Sequence, residues 1–437
     1  MSAMFKSFAI ANYRLWFAVA TVSNVGTWMQ RTAQDWIVLT ELTDNDAAAV
    51  GVTMALQFGP ALVLTPLTGL VSDLFDRRKV LMITQAVMGV LALGLGVLTV
   101  TGAVELWMVY GFALGLGIAS AFDGPVRQTF VSTLVPTDYL SNAVGLNATS
   151  FNTARLIGPA VAGVLTALIG AGWVFLLNAV TFAATIGGLM ALHRDRLNPQ
   201  VIPARSRGQM SEGLRYVRGR PDLMLVFGMV ALFGTFGMNF AIYNSTMSVL
   251  FGSGAGEFGV LSSVMAIGSV IGALLAARRD RPRLRTITIA AASFGLAVGA
   301  AAISPNLWVY GVFIAVSGLF AITTMNSANA YVQTTTTPTV RGRVMSLYMA
   351  IFMGGSVVGA PLIGWIANAV GPRWAMAAGG AAGLVAAAVA GVYFVRTRHI
   401  RLRWEPSRRW PLRLGTGPRA RELATTEIAV IETESSR

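Results

Sequence analysis

Long apolar runs separated by short polar segments set the plan of this chain. A bilayer-spanning helix needs about 20 predominantly apolar residues. Twelve stretches meet that need: 15–40, 48–72, 80–101, 105–125, 143–169, 172–192, 223–250, 258–277, 286–303, 307–331, 344–370 and 374–395. The residues between them are rich in Lys and Arg, which accumulate on the cytoplasmic side of membrane helices. With the N-terminus inside, 30 of the 33 Lys and Arg fall in cytoplasmic segments, and only Arg31, Arg155 and Arg373 lie elsewhere. The pattern predicts an all-α integral membrane protein of twelve transmembrane helices, with both termini cytoplasmic.

Composition agrees. Hydrophobic residues make up 54% of the chain and charged residues 12%, with a mean hydropathy of +0.63. Soluble domains carry about 25% charged residues, and disordered or coiled-coil proteins need still more charge. The net charge is +14, but its confinement to loops, linker and tail makes it an orientation signal, so no nucleic-acid partner is expected. Cysteine is absent, which removes disulfides, thiolate metal sites and cysteine nucleophiles and leaves the redox compartment open.

The charge pattern also divides the chain. Residues 1–192 form one six-helix bundle, 193–222 a cytoplasmic linker with seven Arg, 223–395 a second six-helix bundle, and 396–437 a cytoplasmic tail expected to be disordered. The basic part of the tail, interleaved with Trp404 and Trp410, suits an anionic lipid surface. The halves repeat weakly. Leu106-Trp107 recurs as Leu307-Trp308, Val109-Tyr110-Gly111 as Val309-Tyr310-Gly311, Pro136-Thr137 as Pro338-Thr339, Pro159 as Pro361, and Gly69 as Gly272. Two parallel six-helix halves around a central site are the design of an alternating-access transporter.

Between the second and third runs stands Gly69-Leu-Val-Ser-Asp73-Leu-Phe-Asp76-Arg77-Arg78-Lys79. Gly69 and Asp73 share a helix face, over which a neighbouring helix can approach closely. A carboxylate there suits the positive N-terminal end of a helix from the other half. The segment resembles the signature of the major facilitator superfamily, G-x-x-x-D-R-x-G-R-R/K-R/K, from which Leu74 and Asp76 depart. Together with Asn24-Val-Gly-Thr-Trp-Met-Gln30 and Asp123-Gly-Pro125-Val-Arg127, it looks like the branch of enterobactin-type exporters, the transmembrane secretion effectors, over residues 1–395. The resemblance implies the major facilitator fold in two pseudo-symmetric bundles and a place in the bacterial cytoplasmic (inner) membrane. It also implies a conformational latch made by Gly69, Asp73, Arg77 and Arg78. In the second half Gly272 recurs, but Ala276 replaces the Asp.

Arg31, Asp35 and Arg155 are ionisable residues inside the runs, where such groups are costly and mark functional sites. Asn24, Thr27, Arg31 and Gln34-Asp35 form a stripe on the first helix, which must face protein or a water-filled cavity. The seventh run carries a similar stripe at Thr235, Asn239, Tyr243 and Thr246, and the tenth has Ser317, Thr324 and Ser327. A polar cavity follows, with Asn24, Thr27, Gln34, Asn239, Tyr243 and Thr324 on its wall and Trp28, Phe236 and Phe240 as apolar candidates. At 1.5 Å rise per residue, Arg155 lies about 18 Å from the inner end of its helix, Arg31 about 24 Å and Asp35 about 30 Å. Two readings of Arg31 and Asp35 stand together. They form an i, i+4 ion pair that neutralises itself, or Asp35 exchanges protons, burial favouring its neutral form and Arg31 its charged form. Asp123 and Arg127 are expected to organise the inner boundary, and Arg155 to hold either an anionic substrate group or a structural carboxylate.

The fifth run contains Arg155-Leu-Ile-Gly158-Pro159-Ala-Val-Ala-Gly163, which resembles the superfamily's antiporter motif G-P-x-x-G-G with Ala162 in place of one Gly. Pro159 permits a bend, and Ala154, Gly158 and Ala162 form a stripe for tight packing; the resemblance implies export by antiport. No G-x-x-x-x-G-K-[ST] occurs, since Lys6 and Lys79 are the only lysines, and His193 and His399 lie outside the runs. The chain is therefore read as no enzyme, without cofactor or metal, driven by a proton gradient. The preferred expectation is a proton-coupled exporter of small amphipathic compounds, drug-like or siderophore-like, working as a monomer in the lipid bilayer. The rivals are a nutrient importer or facilitator of the same fold, and a non-transporting membrane scaffold, against which the intramembrane charges argue.

Overall fold

The computed structural model describes residues 3–193, 195, 197, 209–277, 283–398, 401–404 and 412–415. The helices are α1 (Ala11–Thr40), α2 (Ala47–Leu74), α3 (Arg77–Val100), α4 (Leu106–Leu134), α5 (Thr137–Ile169), α6 (Ala171–Ala191) and the short linker helix α7 (Gln209–Arg218). The second half continues with α8 (Pro221–Leu232), α9 (Phe240–Leu250), α10 (Ala255–Ala277), α11 (Leu284–Ala302), α12 (Leu307–Thr335), α13 (Pro338–Val370) and α14 (Pro372–Arg398). Among the described residues, eleven segments, with α8 and α9 counted as one, are long and apolar enough to cross a membrane. The remaining one, α1, has 30 residues, about 45 Å, and differs by its polar groups rather than its length.

The sequence repeat is a structural repeat. Helices α4 and α12 both have 29 residues, and α5 and α13 both have 33 with an internal proline, Pro159 and Pro361. In the first half α1 packs on α5 and α6, α2 on α4, and α3 on α4 and α6; in the second α10 packs on α12, and α11 on α12 and α14. The halves meet through two equivalent pairs, α2 with α13 and α5 with α10.

Small residues make those pairings close. The Gly163 and Gly259 backbones touch between α5 and α10, and a Cβ at Gly51 would stand 2.7 Å from Pro361 Cα. Both contacts lie at the end remote from Lys6, Arg14, Arg77 and Arg127, hereafter the far end. There one apolar core runs through both halves, joining Ile37, Val38 and Val50 to Phe240, Leu261 and Ile363, and the Trp36 and Phe258 rings stack at 5.2 Å. At the opposite, basic end the first half keeps a separate core of Tyr13, Trp16, Leu81, Phe130 and Leu134. The bundle is thus sealed at the far end, and its halves have separate cores at the basic end.

Aspartates cap two helices at these ends. Asp46 accepts from the Ala48 and Ala49 amides at the start of α2, and Asp76 from the Arg78 and Lys79 amides at the start of α3; such caps contribute about 1 kcal/mol each. Asn368 of α13 donates to Asp46 and accepts from the Ala47 amide at 2.9 Å, a polar clasp between the halves at the far end.

One predicted span is not a single helix. The run 223–250 breaks into α8, a π-helical turn at Phe233–Gly237, and α9. Gly359 of α13 lies directly against the Thr235 carbonyl, and Gly355 against the Gly234 backbone. This close backbone approach crowds the turn, and single π turns mark such disturbed helices. Within the tail, for which the sequence suggests disorder, β1 (Arg401–Trp404) pairs antiparallel with β2 (Leu412–Gly415). Residues 399–400, 405–411 and 416–437 of the tail, and 194, 196 and 198–208 of the linker, lie outside the described residues.

Candidate functional site

Two of the three intramembrane charges, Arg31 and Arg155, gather around one ring. Trp28 of α1 lies between Phe58 of α2 and Phe151 of α5, with centroid distances of 6.4 and 6.1 Å. The Arg31 and Arg155 guanidiniums each stand 5.5 Å from the Trp28 centroid, and Arg31 is 4.5 Å from that of Phe58. A guanidinium on an aromatic face is drawn to the ring quadrupole, so two cations share one indole. Gly158 allows this arrangement: a Cβ there would stand 2.5 Å from Trp28 Cβ, so only glycine lets α5 approach α1 at this level. The exporter-like element therefore acts here through Gly158, while Gly163 serves the α5–α10 contact at the far end and Pro159 lies between them.

Arg31 and Asp35 are both buried, at 9% and 4% exposure, yet among the described residues no ion pair joins them. Arg31 Nη2 instead donates to Ser120 Oγ of α4 at 3.3 Å, and Asp35 Oδ1 has no hydrogen-bond partner. The self-neutralising pair is thus absent from this conformation. Helical side chains lean toward the N-terminus, so Arg31, the earlier residue, leans away from Asp35, and this charge order is the weaker one for an i, i+4 pair. Arg155 differs again: it is solvent-accessible although protein surrounds it, and it has no ion-pair or hydrogen-bond partner among the described residues.

The expected cavity wall is mostly buried in this conformation. Thr27 is half-buried, whereas Asn24, Gln34, Asn239 and Thr324 have little exposure and Tyr243 has none. Thr27 and Thr324 donate to carbonyls of their own helices, at Ser23 and Phe320, and Tyr243 donates to the Phe236 carbonyl across the π turn. Gln34 Nε2 reaches the Val109 carbonyl, while Gln34 Oε1 and Asn239 Oδ1 are buried without partners. The polar stripes thus face protein here, and around Trp28 the exposed residues are Arg155 and Phe151.

The arginines of the expected latch bind groups of their own half. Arg77 donates to the Thr129 carbonyl and Ser132, and Arg78 to the Leu189 and Met190 carbonyls at the end of α6. Cations suit a helix C-terminus, so Arg78 ties α3 to α6. Gly69 and Asp73 occupy the last turns of α2, and their side chains lie outside the described residues. Asp123 accepts from Thr84 and Gln85 on one oxygen and pairs with Arg127 at 2.8 Å on the other, and Arg127 lies over Trp16.

Sequence reasoning missed the partners that lie on other helices. The Asp46–Asn368 clasp, the Gln30–Asn178 hydrogen bond and the Trp28 stack of two arginines carry no local signal beyond polar residues in apolar runs. Asp76, read as a departure from the family pattern, could have been found as an N-cap from its place before a helical run.

Two six-helix halves, related by repeat and meeting through α2–α13 and α5–α10, define a secondary transporter of the major facilitator fold. A bacterial homologue of the lysosomal transporter Spinster shares this fold, with a TM-score of 0.66 at 15% identity, covering 93% of this chain and all of that one. The chain belongs to the transmembrane secretion effector family, whose model matches residues 2–417. It is 25% identical to the Escherichia coli enterobactin exporter EntS over 360 residues, 80% of this chain and 85% of the other. It is 27% identical to the Mycobacterium tuberculosis multidrug efflux pump Tap over 365 residues, 79% and 84% of the two chains. This is a multi-pass membrane transporter for small molecules, not an enzyme.

Proposed function

We propose that the protein is a proton-coupled exporter of small amphipathic compounds, drug-like or siderophore-like, working as a monomer in the bacterial inner membrane. Both termini lie in the cytoplasm on this reading, and the bundles 1–192 and 223–395 rock about the central site with the linker between them. The basic end is then the cytoplasmic one, and sealing at the far end makes this the inward-open arrangement. The carrying observation is Asp35, a buried carboxylate with one unpartnered oxygen, four residues from an arginine that does not pair with it. A charged carboxylate is costly in such a place unless it is paired. A proton removes the cost in one state, and Arg31 closing on Asp35 removes it in another, which gives a two-state element for coupling. Kinship with an enterobactin exporter and a multidrug efflux pump supports both outward direction and substrate class.

The test uses the purified chain in liposomes with an imposed pH gradient and a panel of labelled compounds. At least one compound should move against its own gradient, and a protonophore should stop it. A panel in which nothing moves, or in which movement ignores the pH gradient, contradicts the proposal.

A further inference from the structure

We infer that Arg155, with Trp28 and Phe151, forms a subsite for the anionic group of an aromatic substrate; the inference rests on the transporter reading above. Three observations carry it. First, Arg155 is an exposed residue whose charged group is surrounded by protein, lies within the span of α5, and has neither an ion-pair nor a hydrogen-bond partner among the described residues. Among the described residues no carboxylate forms an ion pair with it. Its contact with a neighbouring helix is the face of Trp28, which leaves its hydrogen-bond donors unused.

Second, the surroundings are positive. Arg31 shares the Trp28 ring with Arg155, and Asp35 lies four residues along α1 on the far side of Arg31. Two guanidiniums against one carboxylate leave a net cation, so a neutral or cationic compound gains nothing from Arg155 and an anion gains a charge-assisted contact. Third, flat apolar surface adjoins the charge. Phe151 is 45% exposed one turn before Arg155, and it stands edge-on to Trp28 with their planes 69° apart. A ring bearing a carboxylate can rest on these aromatics while its charge meets the guanidinium, which presents a planar donor fork.

The subsite differs from the Asp35 site in level and in burial. Arg155 is an exposed residue, while Asp35 is enclosed toward the far end. Occupation of one can therefore be measured without turnover of the other.

The test is equilibrium binding to the full chain in lipid nanodiscs, read by calorimetry and by tryptophan fluorescence. The probes are 1-naphthoate and its neutral counterpart 1-naphthamide. Wild type should prefer naphthoate by about tenfold, the effect of one charge-assisted contact. Arg155→Gln should abolish the preference while leaving naphthamide binding within about twofold, and Arg155→Lys should keep part of it. Asp35→Asn should leave the preference intact, which separates failure of this subsite from failure of proton coupling. Equal binding of the two probes to wild type, including binding of neither, overturns the inference. So does an undiminished preference in a monodisperse Arg155→Gln protein. A purely structural Arg155 would show a lowered melting temperature in Arg155→Gln with the naphthoate preference unchanged.

Discussion

The first membrane helix of each half occupies an equivalent place, and the two are built on opposite terms. Helix α1 is continuous and carries Arg31 and Asp35, whereas α8–α9 is broken by a π turn and has no charge beyond Asp222, at its basic end. Around α1 the polar groups are under-satisfied: Arg31 Nε, Gln34 Oε1 and Asp35 Oδ1 are all buried without partners. Around α9 the interior is mainly aromatic, with Tyr243, Tyr310, Phe233 and Phe294 fully buried and Tyr310 donating to Asn244 Oδ1 at 2.8 Å, and the buried atoms without partners, Asn239 Oδ1 and Ser248 Oγ, carry no charge. Duplication supplied two similar bundles, and the chemistry went to one of them. Unsatisfied charge in a membrane persists only where something else requires it, and on the proposed reading the first half is the one that changes protonation and ligand state. The second half offers a well-packed surface against which the first can move.

Variants can break or sharpen this contrast. The largest expected effect is in the charged half: Asp123→Ala removes the acceptor of Thr84, Gln85 and Arg127 and leaves Arg127 buried without its partner. Loss of one member of a buried pair costs about 3 kcal/mol or more, readable as a lower midpoint in denaturant titration in micelles. Less than about 1 kcal/mol would mean that this network does not hold the first half together. In the aromatic half, Tyr243→Phe deletes only the hydroxyl bonded to the Phe236 carbonyl. It should cost about 1 kcal/mol by the same titration and leave transport close to wild type; a transport loss would put function in the second half too. Smallest is Asn368→Ala at the Asp46 clasp, which should lower stability by less than about 1 kcal/mol. Spin labels across the far end should nevertheless report a larger open population, because the clasp exists only while that end is closed. An unchanged distance distribution would mean that apolar packing alone seals it.

Much of this fold is legible in the sequence, since every crossing must supply its own apolar run and internal hydrogen bonds. The repeat anchored by Leu106-Trp107 and Leu307-Trp308 maps onto helices of equal length. The π turn is not legible, because its cause is the approach of Gly355 and Gly359 from α13, more than a hundred residues along the chain. The site is half legible. Arg31, Asp35 and Arg155 stand out by their charge, but the i, i+4 spacing suggests a pair that this conformation does not form. Only the packing of α1, α2 and α5 shows that Trp28 collects both arginines. The hydroxyls expected on the cavity wall, Thr27 and Thr324, donate in this conformation to carbonyls of their own helices.

The central claim is that the charged half couples transport to protons through Asp35. Asp35→Asn keeps the shape and a hydrogen-bonding side chain but cannot change charge. In proteoliposomes it should lose accumulation driven by an imposed pH gradient while retaining exchange of labelled for unlabelled substrate across the membrane. Gradient-driven accumulation at the wild-type level, with its pH dependence intact, would contradict the account.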